Sequence, residues 1–84
     1  MSKAQVIDSM LCSIEDDINA VMIINGIDFK LEFVCYETRS SYLLIATASN
    51  CDVISTIYYD DIKSFKVIEY RTGKPDFVKS VYFG

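Results

Sequence analysis

The chain has 84 residues, 51% of them hydrophobic, and carries a formal charge of −4 at pH 7. A chain of this length is expected to fold as one domain, residues 1–84, and to bury only roughly 60–65% of the surface that its unfolded form exposes. No apolar run approaches the roughly 18 residues of a membrane span and no signal-peptide pattern opens the chain, so the sequence predicts a cytoplasmic protein with no membrane partner.

The residue types on which most enzymes and metal sites depend are scarce. The sequence has no histidine, which removes the commonest general base near neutral pH and the usual partner of a serine or cysteine nucleophile. It also has no glycine-rich loop or cofactor motif, so we predict a non-enzymatic protein with no catalytic, cofactor-binding or metal-binding residues. Three widely spaced cysteines, Cys12, Cys35 and Cys51, fit reduced thiols better than a disulfide framework. The alternative is one reactive or intermolecular cysteine.

Charge is distributed unevenly along the sequence. Residues 1–61 carry three basic groups against ten acidic ones, whereas residues 62–84 carry five basic groups against two acidic ones. Phosphate neutralisation supplies most nucleic-acid affinity, so a net-acidic chain is predicted not to bind nucleic acid directly. An acidic surface instead suits a protein partner with a basic surface.

The first segment is predicted to be an amphipathic helix over residues 3–17. Ser2 and Gln5 have the spacing of a capping box, and apolar residues follow at intervals of three and four. These apolar residues are Ile7, Met10, Leu11, Ile14 and Ile18. Glu15, Asp16 and Asp17 fall in the predicted last turn, where the helix dipole favours cations. Either the helix frays there and the acids are solvated, or they form an acidic ridge kept for a partner.

Two strands joined by a tight turn are predicted next. Residues 20–24 are apolar, and Asn25-Gly26 is the strongest short signal for a hairpin, because both turn positions need positive φ. Residues 27–36 then alternate as one half-buried strand. The side predicted to face the core carries Ile27, Phe29, Leu31, Phe33 and Cys35. Val34 and Tyr36 are predicted to lie on the opposite, outer side.

The second half of the chain is predicted to be β-structure. Residues 42–48 are apolar on both faces, as expected of a central strand covered on both sides. Further strands are predicted at residues 53–59 and 62–70, joined at the acidic corner Asp60-Asp61. The single proline lies in the loop that follows. Residues 77–83 form either a sixth, edge strand or a terminal tail packed on the core.

The predicted fold class is α+β, with an N-terminal amphipathic helix packed on a five- to six-stranded antiparallel meander sheet. A sheet this small is expected to curl strongly, which protects its edges. The order of one helix and five bent strands, with Asp60-Asp61 as the tight turn before the last of them, resembles the Sm-like and SH3-like small barrels. That resemblance implies a barrel fold. Residues 35–38 lack the acid-plus-asparagine pattern with which the Sm family contacts RNA, so no function is carried over.

The most conspicuous polar-aromatic cluster is Tyr58-Tyr59-Asp60-Asp61. Adjacent strand residues face opposite sides, so one tyrosine is predicted to be inside and the other outside. An exposed tyrosine beside two carboxylates would anchor an arginine or lysine of a partner. The alternative is a structural tyrosine whose hydroxyl bonds to backbone, next to solvated acids.

A second cluster surrounds the predicted loop at residues 37–41. Tyr36, Glu37, Arg39 and Tyr42 lie there beside two serines, a composition that adaptable binding loops use. The alternative is an ordinary loop with surface tyrosines. The candidate partner-binding residues are therefore Glu15, Asp16, Asp17, Tyr36, Glu37, Tyr42, Tyr58, Tyr59, Asp60 and Asp61.

Basic residues collect in the last quarter of the sequence. They are Lys63, Lys66, Arg71, Lys74 and Lys79. One interpretation is a solvated surface that protects an edge strand. The other is a patch that meets the acidic helix of a second copy in a homodimer.

These features together favour a small cytosolic inhibitor or adaptor that binds another protein. Its size, acidity and tyrosine–acid clusters resemble the general character of phage- or mobile-element-encoded antagonists, such as anti-CRISPR proteins, and of immunity proteins. One alternative is an oligomer that binds a nucleotide-like or metabolite ligand, with Arg39, Lys63 or Lys66 meeting phosphate. A second alternative is a structural or assembly subunit.

Overall fold

The arrangement of the chain was determined in a computed structural model that describes residues 2–84. Helix α1 covers Lys3–Cys12. The strands are β1 (Ala20–Ile24), β2 (Ile27–Lys30), β3 (Val34–Thr38), β4 (Tyr42–Thr47), β5 (Val53–Tyr58), β6 (Ser64–Glu69) and β7 (Phe77–Tyr82). Two short 3-10 helices, Asp17–Asn19 and Tyr59–Asp61, lie before β1 and before β6.

The seven strands in this part of the chain form two antiparallel sheets. The four-stranded sheet has the order β2-β1-β6-β7, and the three-stranded sheet has the order β3-β4-β5. The α+β class and the antiparallel pairing are therefore confirmed, but the single meander of five or six strands is not. Neighbours in sequence pair except where the chain passes from one sheet to the other. Both sheets are open, so the expected strong curl and barrel closure are not confirmed either.

One hydrophobic cluster joins α1 to the inner sides of both sheets. Its fully enclosed members are Ile7, Met22, Leu43, Ile45, Ile62, Phe65 and Val67. Side chains on the outer sides of the sheets are not part of this cluster. The two outer sides are therefore the broad surfaces that remain available for contacts with other molecules.

Helix α1 begins as predicted but ends early. The Ser2 hydroxyl accepts a hydrogen bond from the Gln5 amide at 3.2 Å, and the Ser2 amide donates to Oε1 of Gln5 at 2.9 Å, which confirms the capping box. The helix ends at Cys12, so the prediction that it reaches residue 17 and buries Ile18 is wrong; Ile18 is 68% exposed. The last turn holds no basic residue, and a run of acids there would oppose the helix dipole.

The single strand predicted at residues 27–36 is broken by a turn. The amide of Phe33 donates to the carbonyl of Lys30 at 2.9 Å, and the chain then enters the other sheet as β3. The turn changes which alternate residues face the core. Val34 and Tyr36 pack against the core, contrary to prediction, while Phe33 is 61% exposed and Cys35 is exposed. Ile27 is also 61% exposed, although it too was predicted to face the core.

The predicted Asn25-Gly26 hairpin turn is confirmed, with φ of 51° at Asn25 and 81° at Gly26. The Asn25 side chain has a further role that the sequence did not predict. Its Nδ2 donates to the carbonyl of Asp61 at 2.9 Å, and its Oδ1 accepts from the amides of Lys63 and Ser64 at 2.7 and 3.1 Å. One side chain thus joins the first hairpin to the segment that leads into β6.

The strands predicted in the second half of the chain are confirmed, with their ends shifted by one or two residues. Strand β4 is central in its sheet, but its two faces are covered unequally: Leu43 and Ile45 are fully buried on one side, whereas Tyr42 and Leu44 on the other side are only partly buried. Strand β5 carries a bulge at Ile54, because Ser55 pairs with Ile45 while Val53 pairs with Ala46. The segment 77–83, for which a strand or a tail was predicted, forms the edge strand β7.

Candidate functional site

The three acids after α1 lie around a buried carboxylate rather than in a helical turn. Glu69 is 2% exposed, and its carboxylate accepts hydrogen bonds from the amides of Glu15 and Asp16, the shortest at 2.8 Å. Arg71 also donates to Glu69, from Nη2 at 2.9 Å and from Nε at 3.3 Å. The segment that follows α1 is therefore held against the end of β6 by hydrogen bonds from its backbone amides to Glu69.

The charge of Glu69 is stabilised by its neighbours. Burial by itself raises the pKa of this carboxyl, but the hydrogen bond from Arg71 and those from the two amides lower it by more, so the net pKa is below the ordinary value. The guanidinium of Arg71 also lies 4.8 Å from the centre of the Phe77 ring. This group of residues is a structural connection between the end of α1 and the end of β6.

Two of the three acids of the predicted ridge have partners within the chain. Asp16 caps the first 3-10 helix, accepting from the Ile18 amide at 3.1 Å and from Nδ2 of Asn19 at 2.9 Å. Glu15 lies 3.7 Å from Nη2 of Arg71. Asp17 is exposed. The interpretation of these residues as part of a helix turn is therefore wrong, and only Asp17 is fully available for an external contact.

The two adjacent tyrosines face opposite sides, as predicted. Tyr59 is 6% exposed and its hydroxyl donates to the carbonyl of Arg39 at 2.7 Å. Burial raises the pKa of Tyr59, with a further contribution from Asp8, while the hydrogen bond to Arg39 acts in the opposite direction. Tyr58 is 52% exposed. Tyr59 is thus a structural residue, and Tyr58 is the surface aromatic.

The outer side of the three-stranded sheet brings several of the candidate residues together. Tyr42 and Tyr58 are paired across β4 and β5, with ring centres 5.7 Å apart and ring planes at 62°. Leu44 lies on the same side as Tyr42, opposite Glu37 on one neighbouring strand and Thr56 on the other. We refer to this surface, formed by Glu37, Tyr42, Leu44, Thr56 and Tyr58, as the tyrosine face.

The acidic corner lies at one end of the tyrosine face. Asp60 and Asp61 are exposed in the 3-10 helix that directly follows Tyr58. None of the ion pairs formed within residues 2–84 includes either carboxylate. Lys3 is nearby, but its ammonium group donates to the carbonyls of Tyr59 and Ile62, both at 3.2 Å. Among the residues that the structure describes, neither carboxylate has a basic partner, so both can meet a cation from outside.

Glu37 and Tyr36 occupy opposite sides of β3. Glu37 lies on the tyrosine face and forms an ion pair with Nε of Arg39 at 3.1 Å. Tyr36 packs against the core, and burial raises its pKa, with smaller contributions from Asp17, Cys12 and Asp8. Tyr36 and Tyr59 thus drop out of the candidate surface, while Glu37, Tyr42, Tyr58, Asp60 and Asp61 lie along one sheet and its adjoining corner.

The acidic corner and the residues after α1 do not form one surface patch. Lys3, at the start of α1, contacts the segment 59–62, whereas the chain beyond the other end of α1 contacts Glu69. A helix of ten residues is about 15 Å long, so Asp17 and Asp60 lie at opposite ends of that span.

Sequence reasoning missed Asp8 and Leu44. Asp8 lies between the two acidic groups, accepts a hydrogen bond from the Thr38 hydroxyl at 3.1 Å, and acts electrostatically on both Tyr36 and Tyr59. Its only signal was its place on the polar side of the helix. The signal for Leu44 was that residues 42–48 are apolar on both sides. This pattern predicted a strand covered on both sides and not a strand with one side available for contact.

Two of the basic residues invoked for phosphate binding belong to different sheets, since Arg39 follows β3 and Lys66 lies in β6. Arg39 is engaged with Glu37, and Lys66 points to the outer side of the four-stranded sheet. Within residues 2–84 no three histidine, cysteine or acidic side chains are grouped so as to hold a metal ion. The same residues contain no helix of the length and apolarity needed to cross a membrane. Comparisons with protein families, curated proteins and solved structures gave no match.

Proposed function

We propose that this protein is a non-enzymatic antagonist that docks its tyrosine face and acidic corner onto a basic surface of a protein partner. The observation that carries the proposal is the Tyr42–Tyr58 pair, which lies on the outer side of the three-stranded sheet next to Asp60 and Asp61, whose carboxylates form no ion pair within residues 2–84. Tyrosine is among the residue types that supply most of the binding energy at protein interfaces.

Each part of this surface has a separate physical role. The two tyrosines and Leu44 supply apolar area that is displaced from water on binding, and the tyrosine rings can also stack on an arginine or lysine. Asp60 and Asp61 attract a positively charged partner and orient it during the encounter. A partner that uses the covered basic surface to hold an anionic substrate or a nucleic acid would thereby be blocked.

The proposed biological setting is the bacterial cytoplasm, with the protein encoded by a phage or another mobile element and directed against a host defence system. Small size, net acidity and the absence of histidine support this setting, because such antagonists act by occupying a surface and need no catalytic groups. An immunity protein that neutralises a basic toxin would use the same surface chemistry. Both versions require the same type of contact and are tested in the same way.

Charge reversal of the acidic corner tests the proposal directly. Tagged wild-type protein and the double variant D60K/D61K are used to capture partners from a host lysate, and the affinity of the captured partner is then measured with purified components. We expect the double variant to lose at least about tenfold in affinity, since both the attraction and the encounter rate fall.

A matched control separates local from overall charge. The double variant D28K/D76K makes the same change in net charge at two exposed residues outside the tyrosine face. It should keep near wild-type affinity. Equal affinity of D60K/D61K and wild type, or equal loss in both double variants, would contradict the proposed docking surface.

A further inference from the structure

Strand β7 has an unpaired edge whose free hydrogen-bonding groups can be assigned. β7 pairs with β6 over six consecutive residues without a bulge. The amide of Phe83 donates to the carbonyl of Lys63 at 2.8 Å, in the same register. Since backbone groups alternate between the two sides of a strand, the odd-numbered residues of β7 bond to β6. The amides and carbonyls of Val78, Ser80 and Tyr82 therefore point away from the sheet.

The other sheet edges of the described chain are less suited to pairing with another strand. β2 has only four residues, and β3 has five with the charged Glu37 near its end. β5 has six residues but is interrupted by the bulge at Ile54, which twists an edge and breaks its regular hydrogen-bonding pattern. β7 is thus the longest regular edge within residues 2–84.

We propose that β7 pairs antiparallel with β7 of a second copy of this chain, about a two-fold axis at Ser80. In this register Ser80 faces Ser80 of the second copy, and Val78 faces Tyr82 of the second copy. All three outward-pointing residues then exchange amide–carbonyl hydrogen bonds across the axis. The two four-stranded sheets become one continuous antiparallel sheet of eight strands.

The register follows from Lys79. Directly opposed residues of antiparallel strands lie on the same side of the sheet, so a symmetric pairing is centred on one residue of the strand. Centring on Lys79 would place two ammonium groups directly opposite each other, which is unfavourable. Centring on Ser80 places Lys79 opposite Val81 and pairs an aromatic with a β-branched side chain at each end.

The exposure of Tyr82 is accounted for by the same pairing. Its side chain is 85% exposed, more than any other large hydrophobic residue of the described chain. In the dimer Tyr82 would extend a row of apolar side chains on the outer side of the sheet, in which Val21, Ile68 and Val78 are directly opposed across β1, β6 and β7. This pairing leaves the tyrosine faces of both copies open, so it goes beyond the proposed function and does not depend on it.

Sedimentation of the purified protein tests the dimer. The monomer mass is 9.6 kDa, and pairing through a single strand buries an area at the low end for specific interfaces, so we expect conversion to the doubled mass between about 1 μM and about 1 mM. The variant S80K places like charges opposite each other and should weaken dimerisation at least about tenfold. T56K adds the same charge to the exposed β5 edge and should leave dimerisation unchanged.

Two further variants distinguish an edge contact from a general loss of folding. Proline at position 80 removes an amide that points outward, whereas proline at position 81 removes one that bonds to β6. S80P should therefore dimerise roughly ten- to a hundredfold more weakly while its melting temperature stays close to that of the wild type. V81P should melt at a lower temperature. In the proposed register Lys79 of one copy lies diagonally across the axis from Lys79 of the other. K79T removes the repulsion between these two lysines and should dimerise a few fold more tightly.

Amide hydrogen exchange gives a residue-level readout. Raising the protein concentration should protect the amides of Val78, Ser80 and Tyr82, while the amides of Lys79 and Val81 are already protected in the monomer. A monomer throughout the concentration range would overturn the proposal. So would a dimer that T56K disrupts and S80K does not, because such a dimer would use β5.

Discussion

Nη2 of Arg71 lies 2.9 Å from Oε1 of Glu69, a carboxylate that is otherwise enclosed by protein. The substitution E69Q keeps the shape of the side chain but removes its charge, so Arg71 loses the anionic group closest to it. In the wild type the backbone amides of Glu15 and Asp16 donate to the carboxylate. In E69Q they would face a neutral amide oxygen or the NH₂ group, which cannot accept from them. We expect the denaturant concentration at the unfolding midpoint to decrease clearly, because E69Q breaks a buried, hydrogen-bonded charge pair. E32Q, at an exposed glutamate, is the control and should have almost no effect.

The stability of the wild type should depend on pH in the acidic range through Glu69. Its pKa is lower in the folded state than the ordinary value of 4.5, so the unfolded state binds a proton more readily. The contribution of Glu69 to the free energy of unfolding is fully present above pH 4.5, and it is lost as the pH falls through the pKa of the folded state. Unfolding curves measured at a series of pH values should therefore show a steeper acid loss for wild type than for E69Q. Parallel curves would contradict this assignment.

Tyr59 is expected to stabilise the fold through its hydroxyl as well as its ring. Y59F removes the 2.7 Å hydrogen bond and leaves the carbonyl of Arg39 without this donor. We expect the free energy of unfolding to fall by about 0.5–1.5 kcal/mol. The same change at the half-exposed neighbour, Y58F, should have no measurable effect. Urea denaturation of the two variants provides the comparison.

Asn25 should stabilise the fold in two separable ways. N25G keeps the positive φ of the turn but removes the three hydrogen bonds to the segment before β6, so we expect a loss of about 1–3 kcal/mol. N25A loses the same bonds and also places a less suitable residue at φ of 51°. N25A should therefore be the less stable of the two in chemical denaturation. Equal stability of N25G and wild type would show that these hydrogen bonds add nothing.

The tyrosine pair is expected to act as a unit in partner binding. Y42A and Y58A should each weaken binding roughly tenfold or more if they lie at the centre of the interface. Because the rings are in contact, the double variant should lose less than the product of the two separate effects. A double-mutant cycle with the purified partner measures this coupling. The control Y82A removes an exposed tyrosine from the other sheet and should leave this binding unchanged.

The local signals in the sequence were the reliable ones. The spacing of Ser2 and Gln5 predicted the start of α1, the Asn-Gly pair predicted the first turn, and strand alternation predicted that one of Tyr58 and Tyr59 is buried. Each of these depends on interactions between residues only a few positions apart. The unbroken alternation across residues 27–36 led to the wrong prediction of one strand, because nothing in the pattern shows that a turn into the other sheet begins at Leu31.

The features that could not be predicted depend on contacts between distant parts of the chain. Glu69 lies far in sequence from the amides of Glu15 and Asp16, so no local pattern predicts that it holds the segment after α1. The separation of the candidate residues into a tyrosine face and two core tyrosines follows from which side each strand turns to α1. That choice is made by the packing of the two sheets and not by the strands themselves.

The pairing of β1 with β6 has a consequence for how the protein folds during synthesis. β1 ends at Ile24 and β6 begins at Ser64, so about 40 further residues must leave the ribosome before β1 can begin to pair with β6. Until then the β1–β2 hairpin lacks the strand that pairs with β1 in the finished sheet, whereas β3, β4 and β5 can already pair with one another. The nascent chain therefore passes through a period in which the β1–β2 hairpin is synthesised but incompletely paired, and we expect it to be open to chaperones and proteases during that interval.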